Sequence, residues 1–310
     1  MLARVAETFY WMTRYLERVE NLACLINVNA NFLFDMPKEA TLGWEPLIDM
    51  TGSRKEYEEK YNDFTEKNII KFLLTDSPSA ISLLSALSAA RENARTIREV
   101  IPCEAWERIN TFYNFVSQKL QTELSKRDRA QFLKEVIHIQ QSITGLLSGC
   151  MNHDQAYLFI RIGRNIERAD MTSRFVDVKV SSLSADDSLP LTPFENIQWM
   201  SVLKSLNGYQ MYRQSMQVRV RRSDVLKFLF KFEFFPRSVL FCVSELESSV
   251  QKLPIHEPVL RRIHSLKRII QSKDVGRFNA VELHEYIDQI QVSCNSIHQA
   301  LNEQYFLSGR

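Results

Sequence analysis

Apolar residues in this chain recur at alternating steps of three and four, almost from end to end. In the first segment Leu2, Val5, Phe9, Met12, Leu16, Val19, Ala23 and Ile26 form such a stripe. A helix turns once every 3.6 residues, so this spacing puts all of them on one face, whereas a strand would alternate them every second residue. Chains patterned this way bury their stripes against other helices. The best strand signal, MQVRVRR at 216–222, is short and has no companion to pair with. The expected fold class is all-α.

Local punctuation divides the pattern into elements. Asp35-Met36-Pro37 ends the first helix, because proline disfavours helical geometry in the residue before it. A short helix is expected over Trp44–Met50, and the polar run TGSRKEYEEKY leads into another reaching about Leu74. Ser77-Pro78 reads as a helix start, with Ser as cap and Pro at the first helical position. The helix after it carries Leu83, Leu87, Ala90, Ala94, Ile97 and Ile101, and Pro102 closes it. Further helices are expected over 104–124, 129–147 and 154–180. A linker-like stretch follows, SSLSADDSLPLTP at 181–193, and then helices over 194–206, 208–218, 223–232, 236–251, 257–272 and 278–306.

Composition removes several function classes. The 39 Lys+Arg against 37 Asp+Glu leave a formal charge of +2, so no nucleic-acid-coating surface is expected. The eight glycines nowhere adopt the spacing of a phosphate-cradling loop, so neither a dinucleotide fingerprint nor a Walker loop is present. No apolar run is long enough for a membrane span, and Glu7 and Glu17 interrupt the opening segment against a signal peptide. Five isolated cysteines without a CxxC fit a reducing cytoplasm. The six histidines form no HExxH and no Cys/His cluster, so no metal or other cofactor is expected.

Two segments whose numbering differs by 150 echo one another: FYWMTRYLERVEN at 9–21 and FIRIGRNIERADM at 159–171. Both read R-x-x-E-R-x-acid, with Arg14, Glu17, Arg18 and Glu20 matching Arg164, Glu167, Arg168 and Asp170, and the apolar stripe stays in phase. Duplication of a helical unit accounts for matched charge and apolar phase together. Chance likeness between amphipathic helices is the alternative, since Glu and Arg are common on helix surfaces. The expectation is a helical bundle with two related halves, the related helices lying at about 2–33 and 154–180 and the halves joined before Asp154. Within each copy the two arginines and the glutamate between them share one side of the helix. If the helices met, four arginines and four acids would cluster, and ARENAR at 90–95 would add Arg91, Glu92 and Arg95.

The opening MLARVAETFYWMTRYLERVENLA strongly resembles that of the bacterial alpha-E family of helical proteins. The likeness continues through WEPL (44–47), SAARENARTIREVI (88–101), CEAWERIN (103–110), LFIRIGRNIERADMTSRFVD (158–177), NGYQMYR (207–213) and EFFPRSVLFC (233–242). It implies a single alpha-E domain over 1–310. Alpha-E proteins occur beside, or fused to, circularly permuted ATP-grasp proteins and transglutaminase-like peptidases. The resemblance therefore implies those partners and a part in peptide or amide ligation, without supplying a catalytic activity. One departure is visible: the family pattern has Arg where Cys24 stands, while the second copy keeps Arg174.

The charged residues admit a functional and a structural reading. Arg14, Glu17, Arg18, Arg91, Arg95, Arg164, Glu167, Arg168 and Asp170 could form an anion site for a phosphate, nucleotide or peptide carboxylate, since the guanidinium fork binds two oxygens at once. They could equally form a structural ion network or a solvated helix face. Arg14 and Arg18 fall off the core line, yet Tyr10, Trp11 and Tyr15 share their arc, so the helix should be covered on more than one side. Acid/base catalysis by the paired carboxylates is not expected, because neighbouring arginines lower rather than raise a carboxyl pKa. His153, three residues after Cys150, is a minor site candidate. A small buried cysteine and a capping His153-Asp154 pair explain that segment as well. The basic, aromatic run YRQSMQVRVRRSDVLKFLFKF reads mainly as a solvated face over a core of Phe228, Phe232 and Phe235, with an acidic partner as its alternative.

These readings converge on a helical component of an ATP-grasp-dependent ligation system that binds its ligase, a peptide or an anionic ligand. Two alternatives stand beside it: a stand-alone enzyme on a small phosphorylated or peptidic substrate, and a structural oligomerisation module. No residue is assigned a catalytic role.

Overall fold

The computed structural model describes residues 1–35, 43–76, 81–184, 193–216 and 219–307. Among them are fourteen α-helices and no strand, in agreement with the helical periodicity. No helix among the described residues is long and apolar enough to cross a membrane. The chain divides into two compact units, Met1–Arg164 and Asn165–Arg310, and the division falls inside one helix.

The first unit is built on α1 (Ala3–Asp35), which packs against α5 (Leu83–Thr96) and α7 (Lys126–Cys150), while α6 (Cys103–Lys119) lies against α5 and α7. The stripe of α1 is buried from Phe9 to Ile26, but Leu2 at its start is exposed. Three short helices precede α5: α2 (Pro46–Thr51), α3 (Arg54–Glu58) and α4 (Glu66–Lys71), the last running into a π-helical turn. The run at 51–61 is thus more than a lead-in, because fully buried Tyr57 anchors it against Tyr61, Phe64 and Phe72.

Ser77-Pro78 lies outside the described residues, and α5 starts at Leu83, where the Ser82 hydroxyl accepts from the Ser85 amide. Pro102 does not close this helix. The helix ends at Thr96, Ile97 and Ile101 stay buried in the turns beyond it, and Pro102 instead caps α6. Ile97 and Ile101 continue the apolar spacing past the last helical turn, which is why the pattern overran the element.

Helix α8 (Gln155–Ser184) crosses from one unit to the other. Asp154 starts it, accepting from the Ala156 amide at 2.9 Å. Most of the linker-like stretch at 181–193 lies outside the described residues. In the second unit follow α9 (Pro193–Ser205), α10 (Tyr209–Ser215), α11 (Arg222–Lys231), α12 (Val239–Val250), α13 (Glu257–Ser272) and α14 (Ala280–Leu301). Here α13 packs between α12 and α14, and α11 contacts α9, α12 and α13. Asn279 and Glu282 close a reciprocal capping box at the start of α14. Phe228 and Phe235 are buried and stacked, as their spacing suggests, whereas Phe232, stacked on Phe228 just past the end of α11, is only half-buried.

Candidate functional site

The chain has Glu-Arg pairs at 17–18, 107–108 and 167–168, and burial separates them. Glu107 and Arg108 are exposed on α6, whereas Glu17 and Glu167 are each only 1% exposed. Burying a carboxylate is costly without compensating partners. Glu17, Arg14, Arg18, Arg164, Glu167 and Arg168 are all engaged in polar, ring or electrostatic interactions.

In the first unit, helical spacing sets three rings against Arg14 and Arg18 of α1. Trp11 and Tyr15 stack with centroids 5.5 Å apart. The Arg14 guanidinium lies 4.9 Å over Trp11 and donates to the Tyr10 hydroxyl at 3.2 Å. Arg18 lies 5.7 Å from the Tyr15 ring. Each such stack contributes about 0.5–1 kcal/mol at exposed sites and more when water is excluded. With the rings beside them, and Arg14 also tied to the Tyr10 hydroxyl, these half-buried arginines are held rather than loose. Tyr10 is fully buried, so α1 is covered on more than its core stripe.

The third motif forms its own local network. Arg91 Nε donates to Asn110 at 2.8 Å, its guanidinium lies 5.0 Å over Tyr113, and Nη1 reaches Glu92. Arg95 Nε also bonds Glu92. Hydrogen bonding from Arg95, with the Arg91 charge, holds the Glu92 carboxyl below its usual range. Among the described residues, these contacts tie Arg91 and Arg95 to α5 and α6 rather than to the charges of α1. His153 is exposed, stacked on Tyr157 with centroids 3.9 Å apart, and its Nε2 sits 3.0 Å from the Ser148 carbonyl oxygen. Cys150 is exposed, against the expectation of burial, because the last turn of α7 carries it outward. The two do not form a nucleophile and base among the described contacts.

The first unit also includes the start of α8, and there Gly163 lies directly against α1. A Cβ built on it would stand 2.5 Å from Thr13 Oγ1 and closer still to the Tyr10 carbonyl oxygen. The backbones approach this closely only because glycine has no side chain. Gly163 directly precedes Arg164, the first residue of the second motif. The sequence alone did not single it out, since Gly145 and Gly149 also sit inside a helical run and have nothing within 4 Å of a Cβ.

In the second unit, Asp170 pairs with Arg174 one turn on, at 2.8 Å. Burial opposes the Arg174 charge, but Asp170 and Glu167 outweigh it and hold its pKa above the ordinary value. Thr172 donates to the carbonyl oxygen of buried Arg237 at 2.8 Å, fixing α8 to the segment before α12. In α1 the position matching Arg174 is Cys24, which offers no such fork. There Glu20, the counterpart of Asp170, accepts from Gln141 Nε2 of α7 at 3.1 Å. A residue distant in sequence thus supplies a donor, without the charge, where the departure from the pattern removes one. Among the described residues no group of three or more His, Cys, Asp or Glu is placed to hold a metal ion.

Glu-Arg pairs with a buried glutamate on two long helices, and arginines lying over aromatic rings on the first, mark an all-helical domain. The chain belongs to the Alpha-E family, described as a predicted alpha-helical domain with a conserved ER motif, whose match covers residues 1–306. No curated protein matches the chain, and no solved structure does.

Proposed function

We propose that this Alpha-E protein is a helical component of an ATP-grasp-dependent peptide or amide ligation system. In this reading the Glu-Arg helices bind the ligase, an acceptor peptide or a product carboxylate. The supporting observation is the arrangement on α1, where Arg14 and Arg18 are oriented by Trp11, Tyr10 and Tyr15 beside buried Glu17. Recognition of an anion gains from donors whose orientation is set before binding, which the rings beside Arg14 and Arg18 favour. The partners implied by the family, a circularly permuted ATP-grasp protein and a transglutaminase-like peptidase, belong to the same proposal. So does a cytoplasmic setting, which suits five free thiols.

A second reading, a structural ion network, is favoured by Arg91, Arg95 and Asp170, whose partners lie close by within their own units. Affinity capture of the tagged chain from its native cells, with mass spectrometry and the Arg18→Ala/Arg168→Ala variant in parallel, separates the two. Recovery of an ATP-grasp protein by the wild type, and its loss with a folded variant, supports binding through the clusters. Equal recovery with both leaves the clusters to ligand binding or stability. No ATP-grasp protein in either capture removes the ligation reading.

A further inference from the structure

A second basic feature lies away from the Glu-Arg pairs. Helix α13 is sharply two-faced: Val259, Leu260, Ile263, Leu266 and Ile270 are buried, and Arg261, Arg262, Ser265 and Arg268 are exposed. Its other cations are already satisfied. His264 and Lys267 both converge on Glu247 of α12. Burial alone would raise the Glu247 pKa, yet hydrogen bonds from Lys267 and His264, with the Lys267 charge, hold it below its usual range. Among the described residues, Arg261, Arg262 and Arg268 make no ion pair, hydrogen bond or ring contact. All three line one groove of about 630 Å³ between α13 and α14, whose far wall includes Val292, Ser296 and Glu303.

Three like charges on one groove repel each other, and a complementary anion relieves that repulsion. Arg261 and Arg268 stand two turns apart on one face, about 10.5 Å along the axis at 1.5 Å per residue. One phosphate or carboxylate is too small to engage both. A peptide with repeated carboxylates advances about 3.3 Å per residue when extended and reaches all three arginines within a few residues. Arginine is also the side chain best shaped for two-point binding of carboxylates. The lining has no aromatic ring on which a base could stack, which favours a peptide over a nucleic-acid strand. Exposed Val292 and half-buried Ala300 instead suit the apolar residues of a peptide.

We infer that the groove between α13 and α14 is a docking site for an acidic peptide segment of a partner, with Arg261, Arg262 and Arg268 taking its carboxylates. The test is fluorescence anisotropy on the full chain with fluorescein-labelled octa-glutamate at low salt. Labelled octa-thymidylate is the nucleic-acid comparison, and Lys119→Gln in the first unit is the charge control. The Arg261→Gln/Arg268→Gln variant should lose at least tenfold in affinity while the control keeps it. Octa-thymidylate should bind at least tenfold more weakly than the peptide. The three arginines are exposed and unpaired, so the variants should melt like wild type. The Arg261→Glu/Arg268→Glu variant should gain affinity for octa-lysine. No binding of octa-glutamate by wild type, an unchanged affinity in the double variant, or equal binding of octa-thymidylate would each overturn the assignment.

Discussion

Replacing Gly163 with alanine tests the contact that joins α8 to α1 in the first unit. The added methyl would start 2.5 Å from Thr13 Oγ1, whereas ordinary van der Waals contact begins at 3.4 Å. Relief therefore needs a shift of about 0.9 Å at Thr13, and more at the Tyr10 carbonyl. Neither neighbour yields easily. The Tyr10 oxygen is backbone within α1, and the Thr13 hydroxyl is bonded to the Phe9 and Tyr10 carbonyls. Overpacking of this kind costs about 1–3 kcal/mol, while alanine recovers up to about 1 kcal/mol of helix propensity. Because the nearest clash is with rigid backbone, the cost lies in the upper part of that range, so the expected net loss is about 1–2 kcal/mol, which for a unit of this size lowers Tm by roughly 2–8 °C. Gly145→Ala and Gly149→Ala are matched controls, since nothing lies within 4 Å of a Cβ at either position. Thermal melts by circular dichroism should show Gly163→Ala destabilised, Gly163→Val more so, and the two controls unchanged or slightly stabilised. Thr13→Ala in the Gly163→Ala background should give only partial relief, because the carbonyl clash remains. A Gly163→Ala protein as stable as wild type would refute the close approach of the two helices.

Further outcomes follow from three ion pairs. Glu66→Gln strips buried Arg129 of its 2.7 Å partner, and urea unfolding should show a loss of about 2 kcal/mol near neutral pH. Burial raises the Glu66 pKa, but Lys126 and Arg129 outweigh it and hold it below 4.5. The pair's contribution is thus present above that value and lost as pH falls through the folded pKa, so wild type and variant should converge in acid. His284 behaves oppositely: its hydrogen bond to Asp177, at 2.6 Å, raises its pKa above 6.5. The stability it adds is complete below 6.5 and is lost as pH rises through the folded value, so His284→Gln should narrow the difference between melts at pH 6 and pH 8.5. The ring is largely exposed, and solvent keeps this effect below about 1 kcal/mol. Arg174→Leu removes the partner of Asp170 and a favourable charge near buried Glu167, and should destabilise by about 2 kcal/mol in the same unfolding assay.

Much of the architecture was legible because a helix writes its period into the sequence. The stripe from Phe9 to Ile26, buried Phe228 and Phe235 of α11 and its exit, and the order of the helices all followed from spacing alone. What spacing could not give was where a helix stops while its apolar steps continue, as at Ile97 and Ile101. A polar run hiding one buried aromatic, Tyr57, was equally opaque. At the candidate site, the charge pattern R-x-x-E-R-x-acid was visible, but what it touches was not. The rings beside Arg14 and Arg18 lie three or four residues away and could be read locally, whereas Gln141 reaches Glu20 only through tertiary packing. The three arginines of α13 carried no sequence signal of their own. Their neighbours His264 and Lys267 look equivalent until the fold brings Glu247 to their side of the helix and, among the described residues, pairs no acid with the three arginines.

The most direct test of the ligation reading is ADP release and product formation by a purified ATP-grasp protein captured with this chain. It would be measured alone, with the chain added, and with the Arg18→Ala/Arg168→Ala variant added. The account predicts that the wild-type chain raises ATP-dependent ligation at least severalfold, that the folded variant does not, and that the chain alone turns over nothing. Equal rates with and without the chain, or turnover by the chain alone, would contradict it.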